Sequence, residues 1–410
     1  MWQASTVTGA LREVLNISQN YFVRGGSDRY FFSLTELLEG KGHRVIPFTA
    51  QHSENQPTEW ARYFPDAVDF QSPSAGDLLD FIYSRRARQA LERLLAEPRP
   101  DIAHLQIYYG QLTTAILGPL RRAGIPIVQT LHEYKLVCPV YTLLREGQPC
   151  QDCDGKHFWK AVVNRCNRGS LSRSLLSATE AYVSQAMGAI AGVDRFICVS
   201  EFQRQKLIEL GVDSDKLVTI HNFVDVTSIP VNQRRGEYLL YFGRIERLKG
   251  IFTLIEAAAP LTTVPLLIAG EGAARAEAEA LVERRGLSHI RFVGSKHGKE
   301  LQELIARSLC CVLPSEWFEN CPMSVLESYA HSRPVIGADI GGIPELVEVG
   351  EDGWLFPAGD VGKLRERLAG IIADPDAALA LGLAGRRKVE RRFSRDWHYG
   401  RVMDVYSKLL

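Results

Sequence analysis

The sequence has no excess of either charge and no long apolar run. Lysine plus arginine and aspartate plus glutamate both number 48. Overall charge therefore argues against a nucleic-acid partner, leaving only local basic patches. No window approaches the roughly 18 to 20 uninterrupted apolar residues of a membrane-spanning helix. The opening stretch, MWQASTVTGALREV, lacks the apolar core of a secretory signal. It runs ahead of the first strand-like segment as a leader of undefined role, and the expected location is the cytoplasm. Short-period repeats and low-complexity tracts are absent as well.

What is present suits a two-domain globular protein. The chain has 410 residues, 46% apolar and 23% charged, enough for two cores of ordinary size. Strand patterns alternate with helix patterns: Arg12 to Ser18, a glycine turn, a helix from Ser27 to Glu39, then the strand from His43. A long charged amphipathic stretch, Asp77 to Glu97, precedes strands at Asp101 to Gln106 and Ile125 to Leu131. Leu171 to Ile190 reads as helix, Arg195 to Val199 as strand, Glu201 to Leu210 as helix and Lys216 to Ile220 as strand. The polar stretch Asp225 to Gly236 reads as a linker. The rhythm then restarts with strands at Tyr238, Pro265, Ile290 and Cys310, and ends in helices at Val361, Pro375 and Asp396 to Leu410. Strands spaced by helices of this length predict βαβ units and parallel sheets, so two doubly wound α/β domains are expected, with ligand crevices at the C-terminal strand ends facing a cleft. The expected division is 1–224, 225–393 and a final helix over 394–410.

The most informative segment runs from Val312 to Val347. It holds two acids, Glu319 and Glu327, separated by seven residues around a predicted helix start. Pro322 fits the first helical turn, and Asn320 or Cys321 is the expected cap. Unpaired N–H groups from Cys321 through Met323 to Ser324 would make a seat for a phosphate between the two acids. The alternative is that the acids only complement the helix dipole.

This segment, with its small-residue turn Gly341-Gly342-Ile343-Pro344-Glu345, resembles the E-x7-E signature of retaining glycosyltransferases of family 4. The resemblance spans nearly the whole chain. It implies a GT-B fold, with two Rossmann-like domains facing a cleft and a C-terminal helix crossing back to the first domain. It implies a nucleotide-sugar donor, with a UDP-sugar expected ahead of a GDP-sugar, and a glycan or lipid-linked acceptor in bacterial surface-polysaccharide assembly. Gly243-Arg244-x4-Lys249-Gly250 is similar to the family's donor-phosphate element, where Arg244 and Lys249 would stabilise charge growing on the leaving diphosphate. Solvated surface cations are the alternative. Gly270-Glu271-Gly272 resembles the turn near the nucleotide, or is a plain strand-to-helix turn. By resemblance Glu327 binds the ribose hydroxyls and Glu319 a hydroxyl of the donor sugar. No Asp-x-Asp pair sits in a strand-end loop where a metal bound to a diphosphate would be held, so no catalytic metal is expected.

The first domain is expected to add two features. Gly25-Gly26, between strand and helix, lets backbone approach a phosphate or acceptor. His132, at a strand end, is similar to the family histidine near the donor sugar; a structural histidine is the alternative. Retention of configuration without an obvious carboxylate nucleophile favours a front-face reaction, and double displacement stays open. A nucleotide-sugar epimerase, a glycan phosphorylase and a non-catalytic sugar-nucleotide binding protein are the other readings.

Eight cysteines form two groups. Cys198, Cys310 and Cys311 lie in apolar runs and Cys321 in the signature segment. Cys138-x11-Cys150-x2-Cys153-x12-Cys166 has the spacing of a four-cysteine structural zinc site, within an insert over 134–170 expected to lack a regular period. Buried free thiols are the alternative, and His157 could replace one ligand. The insert is basic and aromatic (Lys156, His157, Phe158, Trp159, Lys160, Arg165, Arg168, Arg173), and together with Arg85, Arg86, Arg88 and Arg93 of the amphipathic stretch it suits an anionic membrane surface or a solvated face.

Overall fold

The computed structural model describes residue 11 and residues 13–97 and 99–410; most of the leader-like stretch, and Arg12 at the expected strand start, lie outside them. Contacts divide the chain into two compact units. One contains residues through 145, 150–220 and 399–410; the other contains 221–398 with the short stretch 146–149.

Among the described residues, each unit is built on one six-stranded parallel sheet. In the first unit the order is Arg44–Phe48, Glu13–Ile17, Ile102–Leu105, Ile127–Leu131, Arg195–Cys198, Leu217–Thr219. The chain starts at Glu13–Ile17, steps outward once, then returns to the other side, so the order reverses between Glu13–Ile17 and Ile102–Leu105. In the second unit the order is Ile290–Gly294, Leu266–Ala269, Tyr238–Phe242, Ser308–Leu313, Val335–Ala338, Gly353–Phe356. Here the reversal lies between Tyr238–Phe242 and Ser308–Leu313. Both orders are doubly wound, and in such sheets ligands bind outside the C-terminal strand ends at the reversal. The central strands read as unbroken apolar runs because helices cover both faces; Tyr238–Phe242 and Ser308–Leu313 are buried along their whole length.

The structure differs from the sequence reading in several elements. The stretch from Asp77 is two helices, Ala75–Ile82 and Arg85–Leu94. Ser84 breaks it: its hydroxyl accepts from the Ala87 N–H at 3.1 Å, while Asp80 accepts from the Arg85 N–H at 3.1 Å, giving the second helix its own cap. Two strands, Val335–Ala338 and Gly353–Phe356, were not expected; each is only four residues long and one has a glycine inside it. The cysteine insert has structure of its own, a short helix Trp159–Val163 lying against the helix Leu171–Ala186. Phe158, fully buried, anchors it with its ring 5.2 Å from that of Tyr182.

The final helix, Arg395–Tyr406, is shared. Its first turn is tied to the second unit, where Arg395 donates to Asp225 at 2.7 Å and His398 Nδ1 lies 3.0 Å from the His221 carbonyl. From Tyr399 onward it belongs to the first unit. There Tyr399 Oη is 2.8 Å from His43 Nε2 and Tyr406 Oη 2.5 Å from His104 Nδ1.

Candidate functional site

In the second unit the two strands flanking the reversal each launch a loop. The first loop leaves Phe242 through Gly243 and Arg244 into a single 3-10 turn, Arg247–Lys249. Gly250 ends that turn with φ +71°, and a Cβ there would fall 1.7 Å from the Pro314 carbonyl oxygen. Only glycine allows this approach, which seats Lys249 against the second loop. The second loop, from Pro314 to Pro322, carries Glu319. Gly341 and Gly342 of the small-residue turn close on its backbone: the Gly342 N–H donates to the Glu319 carbonyl at 2.7 Å. A Cβ on Gly341 would fall 2.3 Å from that same oxygen.

The two loops meet in an ion pair. Lys249 Nζ lies 2.6 Å from Glu319 Oε1, and the side chains are only 17% and 8% exposed. Ser315 donates to the same oxygen at 2.6 Å, and the ammonium sits 4.9 Å from the centre of the Trp317 ring. Burial alone would raise the Glu319 carboxyl, but the lysine and the serine hydroxyl outweigh it and hold it below the usual range. The result is a fixed cation beside a fixed carboxylate at the strand ends, held in low dielectric where both act strongly.

The helix after this loop is Met323–Ala330. Pro322 is its N-cap with ψ 120°, so the helix starts one or two residues later than expected, and neither Asn320 nor Cys321 caps it. Cys321 is buried, and its carbonyl is taken by Asn222, which donates at 3.0 Å. No side chain caps the helix start, so Met323 and Ser324 open it with backbone alone. Glu327 follows on the second turn, half-buried. The remaining residues of this group stand apart from the Lys249–Glu319 pair. Arg244 is 61% exposed and pairs with Glu246 at 2.9 Å. Glu271 is exposed and paired with Arg275, while its carbonyl accepts from the Ile245 N–H at 2.8 Å. Ser315, Asn222 and His221, whose Nε2 is 2.9 Å from Glu345 of the small-residue turn, were not singled out from the sequence. Only their placement beside strand ends could have found them.

In the first unit, Gly25 caps the helix Gly26–Gly40. Asp28 holds this turn, accepting from the N–H groups of Arg24 and Gly25 at 3.1 and 3.0 Å and from the Asn20 amide at 3.2 Å. A Cβ on Gly25 or Gly26 would meet nothing within 4 Å, so the turn faces open space. His132 follows the strand Ile127–Leu131, with Nε2 2.9 Å from Gln106 Oε1 and its ring 5.1 Å from that of Tyr30. Burial drops its pKa to about 4, so the imidazole is neutral at pH 7. The neighbouring Glu133 is pushed up to about 7 by burial, against the opposing pull of Lys135. Sequence reading had missed Glu133 and Asp28 because their roles depend on burial and backbone contacts.

Cys138, Cys150, Cys153 and Cys166 line one small cavity of about 20 Å³, with Val137, Leu143 and Ala161 among its apolar walls. That is room for about one atom-sized guest. None of the four is joined in a disulfide. Cys153 is raised to about 12, first by burial and then by the other three sulfurs. Among the described residues no group of three or more His, Cys, Asp or Glu side chains is arranged so that it could hold a metal ion. His157 does not line the cavity; its Nδ1 pairs with Asp154 at 2.7 Å.

Comparison with known proteins covers both units. Residues 24–228 match the family described as Glycosyltransferase Family 4, and residues 228–388 match Glycosyl transferases group 1. The glycogen synthase of Mycobacterium tuberculosis is 27% identical over 417 aligned positions, covering 94% of this chain and 91% of that protein. The amylovoran biosynthesis glycosyltransferase AmsK of Erwinia amylovora is 25% identical over 52% of this chain and 55% of its own length. Among solved structures, sucrose-phosphate synthase from Thermosynechococcus elongatus superposes with a TM-score of 0.74 at 20% identity, covering 97% and 99% of the two chains. Anabaena HepE in complex with UDP gives 0.67 at 16% identity, covering 97% and 100%. These likenesses confirm the GT-B plan of two doubly wound units. By the match that spans half its length, the chain belongs to glycosyltransferase family 4.

Proposed function

We propose that this glycosyltransferase moves a sugar, with retention, from a nucleoside-diphosphate donor to a glycan or lipid-linked acceptor in surface-polysaccharide assembly, working in the cytoplasm. The observation that carries this reading is the buried Lys249–Glu319 pair on the two loops flanking the sheet reversal of the second unit. In our reading Lys249 faces the diphosphate, Arg244 swings from its exposed pair with Glu246 to join it, and the first-turn amides of Met323 and Ser324 add hydrogen bonds. Glu327 takes the ribose hydroxyls and Glu319 a donor-sugar hydroxyl. Neutral His132 supplies a hydrogen bond to the sugar, and the open Gly25-Gly26 turn admits a phosphate or the acceptor. The leaving phosphate takes the acceptor proton. Glycogen synthase and AmsK, by their names, favour a glycan acceptor, and HepE bound to UDP or UDP-glucose favours a uridine donor.

Titration with UDP and GDP, followed by product assay with a panel of nucleotide sugars, tests this. UDP is expected to raise the unfolding temperature, and Glu327→Gln to weaken that effect, because an amide accepts more weakly from a diol. Binding without turnover across the panel would leave a sugar-nucleotide binding protein. We propose also that Cys138, Cys150, Cys153 and Cys166 hold one structural zinc ion, supported by their spacing and their shared cavity. Binding would require the thiols to close in on that cavity and lose their protons. Purified protein should then carry about one equivalent of zinc, and chelation should loosen the insert. Four thiols that titrate freely in metal-free protein of full stability would dismiss it.

A further inference from the structure

Three elements of the first unit leave their large apolar side chains in water. Leu79 is 69% exposed on the helix Ala75–Ile82, and Trp159 and Val163 are 52% and 68% exposed on the short insert helix. Both of these helices pack against the helix Leu171–Ala186, where Leu171 and Leu175 are 54% and 56% exposed. On that last helix the usual amphipathic arrangement is inverted. Ser174, Ser177, Ala178, Ala181 and Ser184 face inward, while Leu171, Leu175 and Tyr182, spaced by four and seven residues, form an outward stripe. Tyr182 Oη accepts from the Trp159 N–H at 3.2 Å, so the two helices present one continuous face. Apolar residues grouped this way mark an interaction surface, where scattered ones would not.

The acids beside this face are taken up by neighbours, Asp152 by Arg145, Asp154 by His157, and Asp77 and Asp80 by Arg86, whereas its own basic stretch holds no acid to match it. Residues 155–179 contain Lys156, Lys160, Arg165, Arg168 and Arg173 and not one Asp or Glu, in a chain that is neutral overall. Lys156, Arg165, Arg168 and Arg173 have no acidic partner among the described residues. Lys160 donates to the Asp152 carbonyl at 2.7 Å and is close enough to Asp154 to help His157 hold its carboxyl below the usual range. Unanswered cations around exposed Leu, Val and Trp match the interface of an anionic bilayer, where headgroup phosphates meet the arginines and the acyl boundary takes the apolar tips. A second copy of this chain fits badly, because a two-fold contact would set these cations against each other.

We infer that this face, formed by the helices Ala75–Ile82, Trp159–Val163 and Leu171–Ala186, docks on an anionic membrane surface. The contact is peripheral, as no single helix among the described residues is long and apolar enough to cross a membrane. It is read without sugar transfer, so its fate and that of the donor site are separate. The test is flotation of the full chain with vesicles of phosphatidylcholine alone or of equal parts phosphatidylcholine and phosphatidylglycerol. Binding is expected only to the second kind, falling as salt rises. The triple change Arg165→Ser, Arg168→Ser, Arg173→Ser should lower partitioning roughly a hundredfold. Leu171→Ser with Leu175→Ser should lower it by a factor of roughly ten or more, with circular dichroism unchanged. Failure to bind anionic vesicles, or equal binding to both kinds, would overturn the inference. So would a concentration-dependent dimer that the same leucine changes abolish.

Discussion

Lys249 and Glu319 hold each other where water screens them weakly, and their exposures differ. Glu319 is the more deeply buried, so removing its cation strands a charge, whereas Lys249 retains some access to water and the face of Trp317. Lys249→Ala is therefore expected to cost about 3 kcal/mol of stability and to lower turnover by roughly two orders of magnitude or more. Glu319→Gln should cost less stability than Lys249→Ala. Denaturant unfolding and initial rates read both; equal unfolding midpoints would show that the pair is not desolvated. At this scale the sequence was half legible. Resemblance to family motifs singled out Lys249, Glu319 and Glu327, because short motifs bind loop geometry to residue type. It could not show Asn222 meeting Cys321 across 99 residues or His221 meeting Glu345 across 124. Such contacts are made by the sheet, which brings distant strand ends together.

Elements respond to backbone space as much as to side chains, and two glycines make the contrast. A methyl at Gly250 has both a left-handed φ and the Pro314 carbonyl against it. Gly250→Ala should destabilise the second unit by about 2 kcal/mol or more and should slow transfer by displacing Lys249. Gly25, with φ −156° and nothing within 4 Å of its Cβ position, should accept alanine within about 0.5 kcal/mol. Any loss of activity in Gly25→Ala would then report on a ligand, and paired thermal melts and rates separate the two cases. The α/β alternation was readable because buried parallel strands and amphipathic helices have different periods. What escaped was local: the break at Ser84, the N-cap at Pro322 and two four-residue strands. Each is decided by one cap or by pairing with a neighbouring strand, and neither leaves a period to read.

Over the whole molecule, buried histidines set the response to acid. Burial lowers His398 to about 3 and His132 to about 4, from 6.5. As pH falls below 6.5 the unfolded chain takes up protons that the folded chain refuses, so stability drops from there down toward pH 3. His398, wholly buried and stacked 4.4 Å from the ring of Phe223, should alone cost about 3 kcal/mol at pH 4. Glu133 works the other way: its raised carboxyl favours the fold at low pH, and that support is lost as pH climbs from 4.5 toward 7. Unfolding of the parent and of His398→Phe from pH 7 to pH 4 should show a flatter profile in the variant; parallel profiles would remove His398 from the account. The shared last helix carries a different consequence, one of time. Residues 221–398 are synthesised before 399–410, yet those last twelve bring Tyr399 to His43 and Tyr406 to His104. During translation the second unit can close as soon as it has left the ribosome. The first unit, although its sheet is made earlier, must keep the sites around His43 and His104 unfilled until the second has been completed.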